Sequence, residues 1–232
     1  MALVEYGNGI LQMSGSIAGN TYARNRFGNY VRAKTKPINP NSALQQVVRA
    51  AVAYLTDRWS QTLTDVQRTA WKLYADSVLM KNRLGKTIHL TGFNHYIRSN
   101  ANAIRIGLTP VDDGPTVFEL PAKDPTFAIT ISEATQNITA TFDDTMDWAS
   151  ETGGIIYMFQ GQPQNAQRNF FAGPWRFWTA VEGVNPGPAA TPKIAAAVFA
   201  VAELQRVWVS ARIKRADGRL SEVFRADTFC AA

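Results

Sequence analysis

The hydrophobic pattern of this chain changes its period at residues 109–115, and no other feature constrains the fold as much. Between residues 37 and 109, apolar residues recur mainly every three or four positions, as in amphipathic helices. After it, short runs alternate apolar and polar side chains, as in half-buried strands. The segment itself, Thr109-Pro-Val-Asp-Asp-Gly-Pro115, has the composition of a linker. The chain is therefore predicted to be an α+β protein whose helices precede its main sheets.

Residues 1–36 are predicted to form an extended arm. Their Gly- and Asn-rich stretch at 16–34 favours a two-stranded ribbon, because Tyr22 and Tyr30 suit strands and residues 25–29 suit a turn. Two strands bury too little surface to be stable alone. We therefore expect the ribbon to lie on the rest of the chain or on a partner.

Residues 37–109 are predicted to form a helical attachment region. A first amphipathic helix begins at an N-cap at residue 41 or 42, and a capping box at 64–67 begins a second one. About five residues separate these two helices, so they should pack as a helical hairpin. A turn between two very short strands at 83–86 and a third helix within 91–107 complete the region.

Residues 116–232 are predicted to form an antiparallel, Ig-like β-sandwich. Several short strand-like runs are separated by turn signals, of which Asp217-Gly218 is the clearest hairpin turn. The strand-like runs are 127–131, 138–142, 155–159, 176–180, 207–211 and 220–224.

The charges divide at the same place as the hydrophobic pattern. Residues 1–110 hold 14 Lys and Arg against 4 Asp and Glu, a net charge of +10. Residues 111–232 hold 10 against 14, a net charge of −4, so the whole chain carries +6. A basic half joined to a mildly acidic half indicates two ends with different contacts.

The residues that could support catalysis or hold a metal are few. A single cysteine, Cys230, excludes a disulfide framework and a Cys-based zinc site. His89 and His95 stand near no recognisable nucleophile motif, so both are interpreted as surface or packing residues. The one acidic cluster, at 143–147, lacks the spacing of a calcium loop and is interpreted as a turn. We expect a non-enzymatic protein with no cofactor and no metal.

No targeting or membrane segment is expected. The N-terminus has neither a basic nor an apolar leader region, and the longest weakly polar run, at 194–204, is too short to span a bilayer. With one thiol, synthesis in a reducing cytoplasm is the simplest interpretation.

Two other classes of function remain open from the residues alone. A basic ribbon can lie along the phosphates of DNA, although no helix-turn-helix or zinc knuckle accompanies it. A carbohydrate-binding or hydrolytic module would depend on Trp175, Trp178 and Trp208, together with a carboxylate pair that the sequence does not locate.

Residues 14–105 resemble a group of poorly characterised tailed-bacteriophage and prophage proteins, which are thought to be virion structural components. The second half resembles Ig-like or fibronectin-type-III-like modules by pattern. The first resemblance implies a place in a particle rather than a reaction, and no catalytic residues follow from it. Its motifs are Gly15-Ser-Ile-Ala-Gly19 with the ribbon up to Arg32, Pro37-Ile-Asn-Pro40, Leu63–Trp71, Asn82-Arg-Leu-Gly85 and Leu90–Asn100.

These observations together predict a capsid-associated decoration or cement protein of a virion, assembled in the host cytoplasm. A neck or tail protein is the nearest alternative, and a DNA-binding packaging factor comes next. The expected partners are major capsid or neck and tail proteins and further copies of the chain. Binding to the partner is expected to depend on Arg24, Arg26, Phe27, Tyr30, Arg32 and Lys34.

Overall fold

The computed structural model describes residues 2–7, 9–26, 28–82 and 84–232. It contains α-helices, which lie between residues 43 and 105, a 3₁₀ turn at Asp147–Ser150 and several antiparallel sheets. The predicted α+β class is confirmed at this level, since the helices form one unit and the longest strands follow them.

The N-terminal arm, residues 1–36, forms a four-stranded antiparallel sheet rather than the predicted two-stranded ribbon. Its strands are β1 (Ala2–Val4), β2 (Gly15–Ile17), β3 (Asn20–Asn25) and β4 (Gly28–Ala33), and they lie in the order β1-β4-β3-β2. The two outer strands have three residues each, which is too short for an alternating pattern to be visible in the sequence. The predicted β3–β4 hairpin lies at the centre of this sheet.

Three α-helices follow the arm. The predicted capping box is confirmed, because Gln67 donates its backbone N–H to Thr64 Oγ1 (3.3 Å) and accepts the Thr64 N–H at its side chain (2.9 Å). A π-helical turn at Arg58–Thr62 extends the first helix, so the predicted five-residue gap before the second is shorter. The elements are α1 (Ala43–Asp57), α2 (Asp65–Ser77), β5 (Met80–Lys81), β6 (Thr87–Ile88) and α3 (Gly92–Arg105).

The second half contains two antiparallel sheets. One has the order β11-β8-β7, and the other has the order β10-β9-β12-β13. The strands are β7 (Ala128–Ile131), β8 (Asn137–Thr141), β9 (Ile155–Gly161), β10 (Trp175–Glu182), β11 (Lys193–Ala196), β12 (Arg206–Lys214) and β13 (Phe224–Phe229).

Two strand predictions in this half need correction. Strand β11 was not predicted, because its Ala-rich residues have low strand propensity. The last strand was predicted at 220–224, whereas β13 begins at Phe224. Residue Leu220 instead bridges to Lys214 at the end of the turn around Gly218, where the predicted hairpin is found.

The inner faces of the two sheets enclose the main hydrophobic core. Ile129 and Ile138 from the three-stranded sheet are buried with Met158 and Val209 from the four-stranded sheet. Because successive strand residues alternate in direction, the other half of each strand faces away from this core. Those outward residues decide what each sheet can bind.

The helices pack on the outward face of the four-stranded sheet. Arg98 of α3 donates to the backbone carbonyls of Leu220 and Ser221, both at 2.7 Å. The residues after α3, Ile106 and Leu108, pack with Ile155, Tyr157 and Leu220. Residues 109–115, which have the composition of a linker, therefore lie in a close contact between the two halves.

Asp112, at the centre of this segment, joins all three helices. Arg58 donates to both of its carboxylate oxygens, at 2.8 and 2.5 Å, and the Tyr96 hydroxyl donates at 3.0 Å. Its backbone carbonyl accepts the Trp71 indole N–H at 2.8 Å. The Arg58 guanidinium holds the pKa of the Asp112 carboxyl below its ordinary value.

We expect Asp112→Asn to lower the free energy of unfolding by about 1.5–3 kcal/mol, because hydrogen bonds to charged groups have this value. The native carboxylate has a depressed pKa, so its contribution is present above the unfolded pKa and is lost as the pH falls. The difference between the two proteins should therefore shrink below about pH 4. Urea unfolding at several pH values measures it.

The matched control is Asp113→Asn, because Asp113 is the next residue and accepts one hydrogen bond from the exposed Gln67 side chain (2.9 Å). This substitution should change the unfolding free energy by less than about 0.5 kcal/mol. Equal losses for the two variants would contradict the central role of Asp112.

Lys214 gives a second prediction, since its side chain is buried and burial lowers its pKa to about 8. The unfolded chain, with an ordinary lysine pKa near 10.4, binds more protons above pH 8 than the folded chain. Stability should therefore rise by about 1–2 kcal/mol between pH 7 and 9.5 in the parent protein relative to Lys214→Met. Urea unfolding measures the free energy of unfolding of both proteins over this pH range. If the difference between the two free energies stays constant, the side chain of Lys214 does not titrate as a buried amine.

Candidate interaction surface on the N-terminal arm

The arm has ordered strands but no core of its own. Among the described residues between 2 and 50, not one is buried, although four strands and about the first two turns of α1 lie in this range. Sheets are stable in water when at least one face is covered. The arm therefore presents a surface that the rest of this chain leaves uncovered.

The strand register decides which side chains share a face of the arm. Tyr22 pairs with Val31 and Arg24 pairs with Asn29, so these side chains lie on one face. Tyr30 and Arg32 alternate with them and lie on the opposite face. The predicted partner-binding residues are thus divided between the two faces.

Two further predicted residues, Arg26 and Lys34, lie at the ends of the central hairpin. Arg26 is exposed in the turn, and Lys34 is exposed after β4, where its N–H donates to the Gly19 carbonyl at 2.8 Å. Phe27 lies outside the described residues. The basic groups therefore surround the arm rather than forming a single patch.

The arm reaches the rest of the chain beside the short β5–β6 hairpin. Glu5 forms an ion pair with Lys86, which follows the β5–β6 turn. Within the arm, Ser16 and Thr21 share a hydrogen bond of 3.0 Å, and Arg24 donates to the Gln12 side chain at 3.4 Å. These are exposed contacts, which contribute little to stability.

The uncovered apolar surface continues into the first helix. The predicted stripe of α1 is buried at its C-terminal end, at Ala51 and Leu55, whereas its N-terminal end is exposed. Leu11 in the arm is 97% exposed. The exposed apolar residues of this region are Ile10, Leu11, Ile17, Ile38, Leu44, Val47, Val48 and Val52.

Several basic residues beyond the arm act inside the fold instead. Arg58 binds Asp112, Arg68 pairs with Asp65 at 2.6 Å, and Arg98 binds backbone carbonyls. Burial lowers the pKa of Arg98 to about 10. The surface excess of positive charge in the first half is thus smaller than its net charge of +10 suggests.

The groups considered for catalysis have structural surroundings. His95 is fully buried against Tyr74, with ring centroids 5.1 Å apart, and burial lowers its pKa to about 4. His89 is exposed. Neither ring nitrogen of His95 has a hydrogen-bond partner, so no group orients it as a general base.

The acidic cluster forms a turn and an ion pair. Asp143 accepts hydrogen bonds from the backbone and hydroxyl of Thr145, at 2.9 and 2.6 Å, while Asp147 pairs with Arg215 at 3.0 Å. The hydrogen bonds from Thr145 lower the pKa of Asp143. In the part of the chain that the structure describes, no three His, Cys, Asp or Glu side chains are grouped to hold a metal.

The tryptophans proposed for sugar binding are mostly covered. Trp178 lies in the sandwich core and donates to the Ala196 carbonyl at 3.0 Å. Trp208 is 5% exposed, because the Phe171 ring stacks on it and the Arg206 guanidinium lies 5.2 Å from its centroid. A platform of three rings, as that hypothesis requires, is therefore not formed.

The comparisons with known proteins give weak similarities alone. No protein-family model and no curated protein matches the chain. Among solved structures, an Fn3-like protein from Clostridium thermocellum is similar, with a TM-score of 0.31 and 10% identity over 49% of this chain and 97% of that one. These values are too low to support an inference about function.

Two further solved structures are similar over 48% of this chain. One is a family 76 glycoside hydrolase from a bovine Bacteroides thetaiotaomicron strain, with 16% identity, a TM-score of 0.30 and 21% of that chain covered. The other is the adhesin domain of Epf from Streptococcus pyogenes, with 12% identity, a TM-score of 0.28 and 32% of that chain covered.

Within the described residues, no helix has the length and apolar character needed to cross a bilayer.

Because the arm lacks buried residues, we expect trypsin to cleave it first. Cleavage after Arg24, Arg26 or Arg32 should be at least about tenfold faster than cleavage after Arg98 or Arg212, which are largely buried. Mass spectrometry of a limited digest should show a stable fragment that begins between residues 25 and 37. Initial cleavage at Arg98 or Arg212 would contradict the description of the arm.

Proposed function

We propose that this chain is a non-enzymatic structural protein of a bacteriophage virion, attached through its N-terminal arm as a capsid decoration or cement protein. The observation that supports attachment is the ordered four-stranded arm in which no described residue is buried. The proposal that the particle is a bacteriophage virion depends on the resemblance of residues 14–105 to tailed-phage proteins. A subunit that completes its fold on a neighbour requires such a surface.

The arm is suited to binding another protein in two ways. Its outer strands, β1 and β2, have one unpaired edge each in the described sheet, and an unpaired edge can accept a strand from another chain. Its faces present apolar side chains beside basic ones. Such a combination favours a protein surface with acidic groups around an uncharged area.

The second half is proposed to be an Ig-like or fibronectin-type-III-like module that projects from the attachment site. The support is the strand order, in which three strands (β7, β8, β11) face four (β10, β9, β12, β13), with all described pairings within each sheet antiparallel. Since this module has its own core, it does not need the partner to remain folded.

The test is deletion of residues 1–36 from the protein that is incorporated into virions. The deleted protein should remain folded by circular dichroism, and its copy number in purified virions should fall at least about tenfold by quantitative mass spectrometry. Removal of an arm without a core leaves the packed helices and sandwich intact.

Substitutions in the full-length chain test whether the charge of the arm, and not only its presence, is needed for incorporation. Arg24→Gln with Arg32→Gln should reduce incorporation, whereas Arg176→Gln at the exposed edge strand β10 should leave it unchanged. Full incorporation of the arm-deleted protein would contradict attachment through the arm. Absence of the full-length protein from virions would contradict the proposal as a whole.

The DNA-binding alternative rests on the same exposed arginines of the arm. If the arm binds phosphates, the affinity for duplex DNA should fall linearly with salt on logarithmic axes. A fluorescence anisotropy titration of a duplex at several salt concentrations tests this. No binding at low salt removes the alternative and leaves the protein-binding role.

A further inference from the structure

The outward face of the three-stranded sheet is exposed and uncharged. Ile129 and Ile138 point into the core, and the alternating residues point away from it. Among these, Ile194 on the edge strand β11 is 57% exposed, and it lines a shallow concavity together with Thr130 and Thr139. The residues of this outer face are Ala128, Thr130, Asn137, Thr139, Thr141, Ile194 and Ala196.

An exposed sheet face without charge is suited to contact with another sheet. In antiparallel sheets with one solvated face, that face is usually polar. Here the polar residues of the face are Thr and Asn, which carry no charge, and their small side chains give a flat surface on which a second sheet can pack at about 10 Å. The outer face of the four-stranded sheet is not free in the same way, because α3 and the segment after it cover part of it.

An acidic corner borders this outer face. Glu133 follows Ser132, which lines the concavity, and the Glu203 backbone N–H donates to Glu133 Oε2 at 2.8 Å. In the described part of the chain, neither carboxylate forms an ion pair. A cation brought to this corner would therefore meet two unneutralised carboxylates.

One face of the arm is complementary to that surface. Val4, Tyr22 and Val31 form its apolar centre, with Ile17 on the edge strand and Arg24 beside them. Residues 1–36 carry five Lys and Arg against one Glu, a net charge of +4. The strands of the arm have three to six residues, and those of the outer face have four or five, so the two sheets are of similar length.

We propose that the arm of one copy packs on the outer face of the three-stranded sheet of a second copy, with Arg24 near Glu133 and Glu203. This inference depends on the proposed function, because it names the first partner of the same arm. Donor and acceptor are different surfaces, so the contact is heterologous. Repetition of the contact produces a ring or a filament of subunits.

The primary experiment measures the mass of the purified full-length chain by sedimentation velocity up to about 100 µM. We expect concentration-dependent oligomers that dissociate as the salt concentration is raised from about 0.05 to 0.5 M, because the contact is rimmed by opposite charges. Deletion of residues 1–36 should give a monomer. A full-length chain that remains monomeric would overturn the inference.

Ile194→Arg should also abolish the oligomers, because it places a bulky charge on the outer face, beside Thr139 of the central strand β8. The matched control is Val184→Arg, since Val184 is 51% exposed and lies outside the three-stranded sheet. Its oligomers should be unchanged. Equal loss in both variants would contradict the assignment of the acceptor surface.

Mixing two defective proteins tests the direction of the contact. The Ile194→Arg protein retains an arm, and the arm-deleted protein retains the outer face, so the mixture should form a 1:1 complex and nothing larger. The charge reversal Arg24→Glu should weaken assembly at least about tenfold, and Glu133→Lys should restore part of it in the same chain. No complex in the mixture would contradict the heterologous geometry.

The two proposals can fail independently. If the full-length chain is monomeric and the arm-deleted protein is still lost from virions, the arm binds a different virion protein, and the self-assembly inference is wrong while the proposed function stands. If the chain oligomerises through the arm but is absent from virions, the proposed function is wrong.

Discussion

The three helices are joined at one residue, Asp112. Its carboxylate accepts hydrogen bonds from Arg58 and Tyr96, and its backbone carbonyl accepts one from Trp71, so all three helices contact a segment with the composition of a linker. Such a segment has many accessible conformations in the unfolded chain, and several directed hydrogen bonds are needed to order it. The residues before it, α3 with Ile106 and Leu108, pack on the four-stranded sheet and cover part of its outer face.

The arm differs from the helices and the sandwich because it has, in its described part, no buried side chains to stabilise it. The helices and the sandwich bury large side chains, such as Trp71 and Ile156, whereas no described residue between 2 and 50 is buried. Burial of apolar surface is the main favourable term in folding, so a sheet without it has little stability of its own. The proposal of a second copy as the partner follows from two uncovered surfaces in one chain, an arm with a net positive charge and a sheet face bordered by carboxylates.

The candidate site could be predicted from the sequence in its chemistry but not in its geometry. The Tyr-, Asn- and Arg-containing hairpin at 20–33 was predicted, because its strand and turn propensities are local properties. The division of Arg24 and Arg32 between opposite faces was not predicted, since it depends on the pairing register. The outer face around Ile194 was missed entirely, because β11 has no alternating pattern strong enough to mark it as a strand.

The sequence by itself determined the α+β class, the helix boundaries at the capping box, the Asp217-Gly218 turn and the uneven charge. The capping box and the turn follow from residues within about one turn of one another, where local propensity and hydrogen bonding are sufficient, and the class and the charge follow from patterns along the chain. The tertiary structure alone decided that 109–115 is a joint instead of a flexible linker, and that Trp178 and Trp208 support the sandwich. It also decided which sheet faces remain uncovered, since burial is a property of distant segments brought together and no local pattern encodes it.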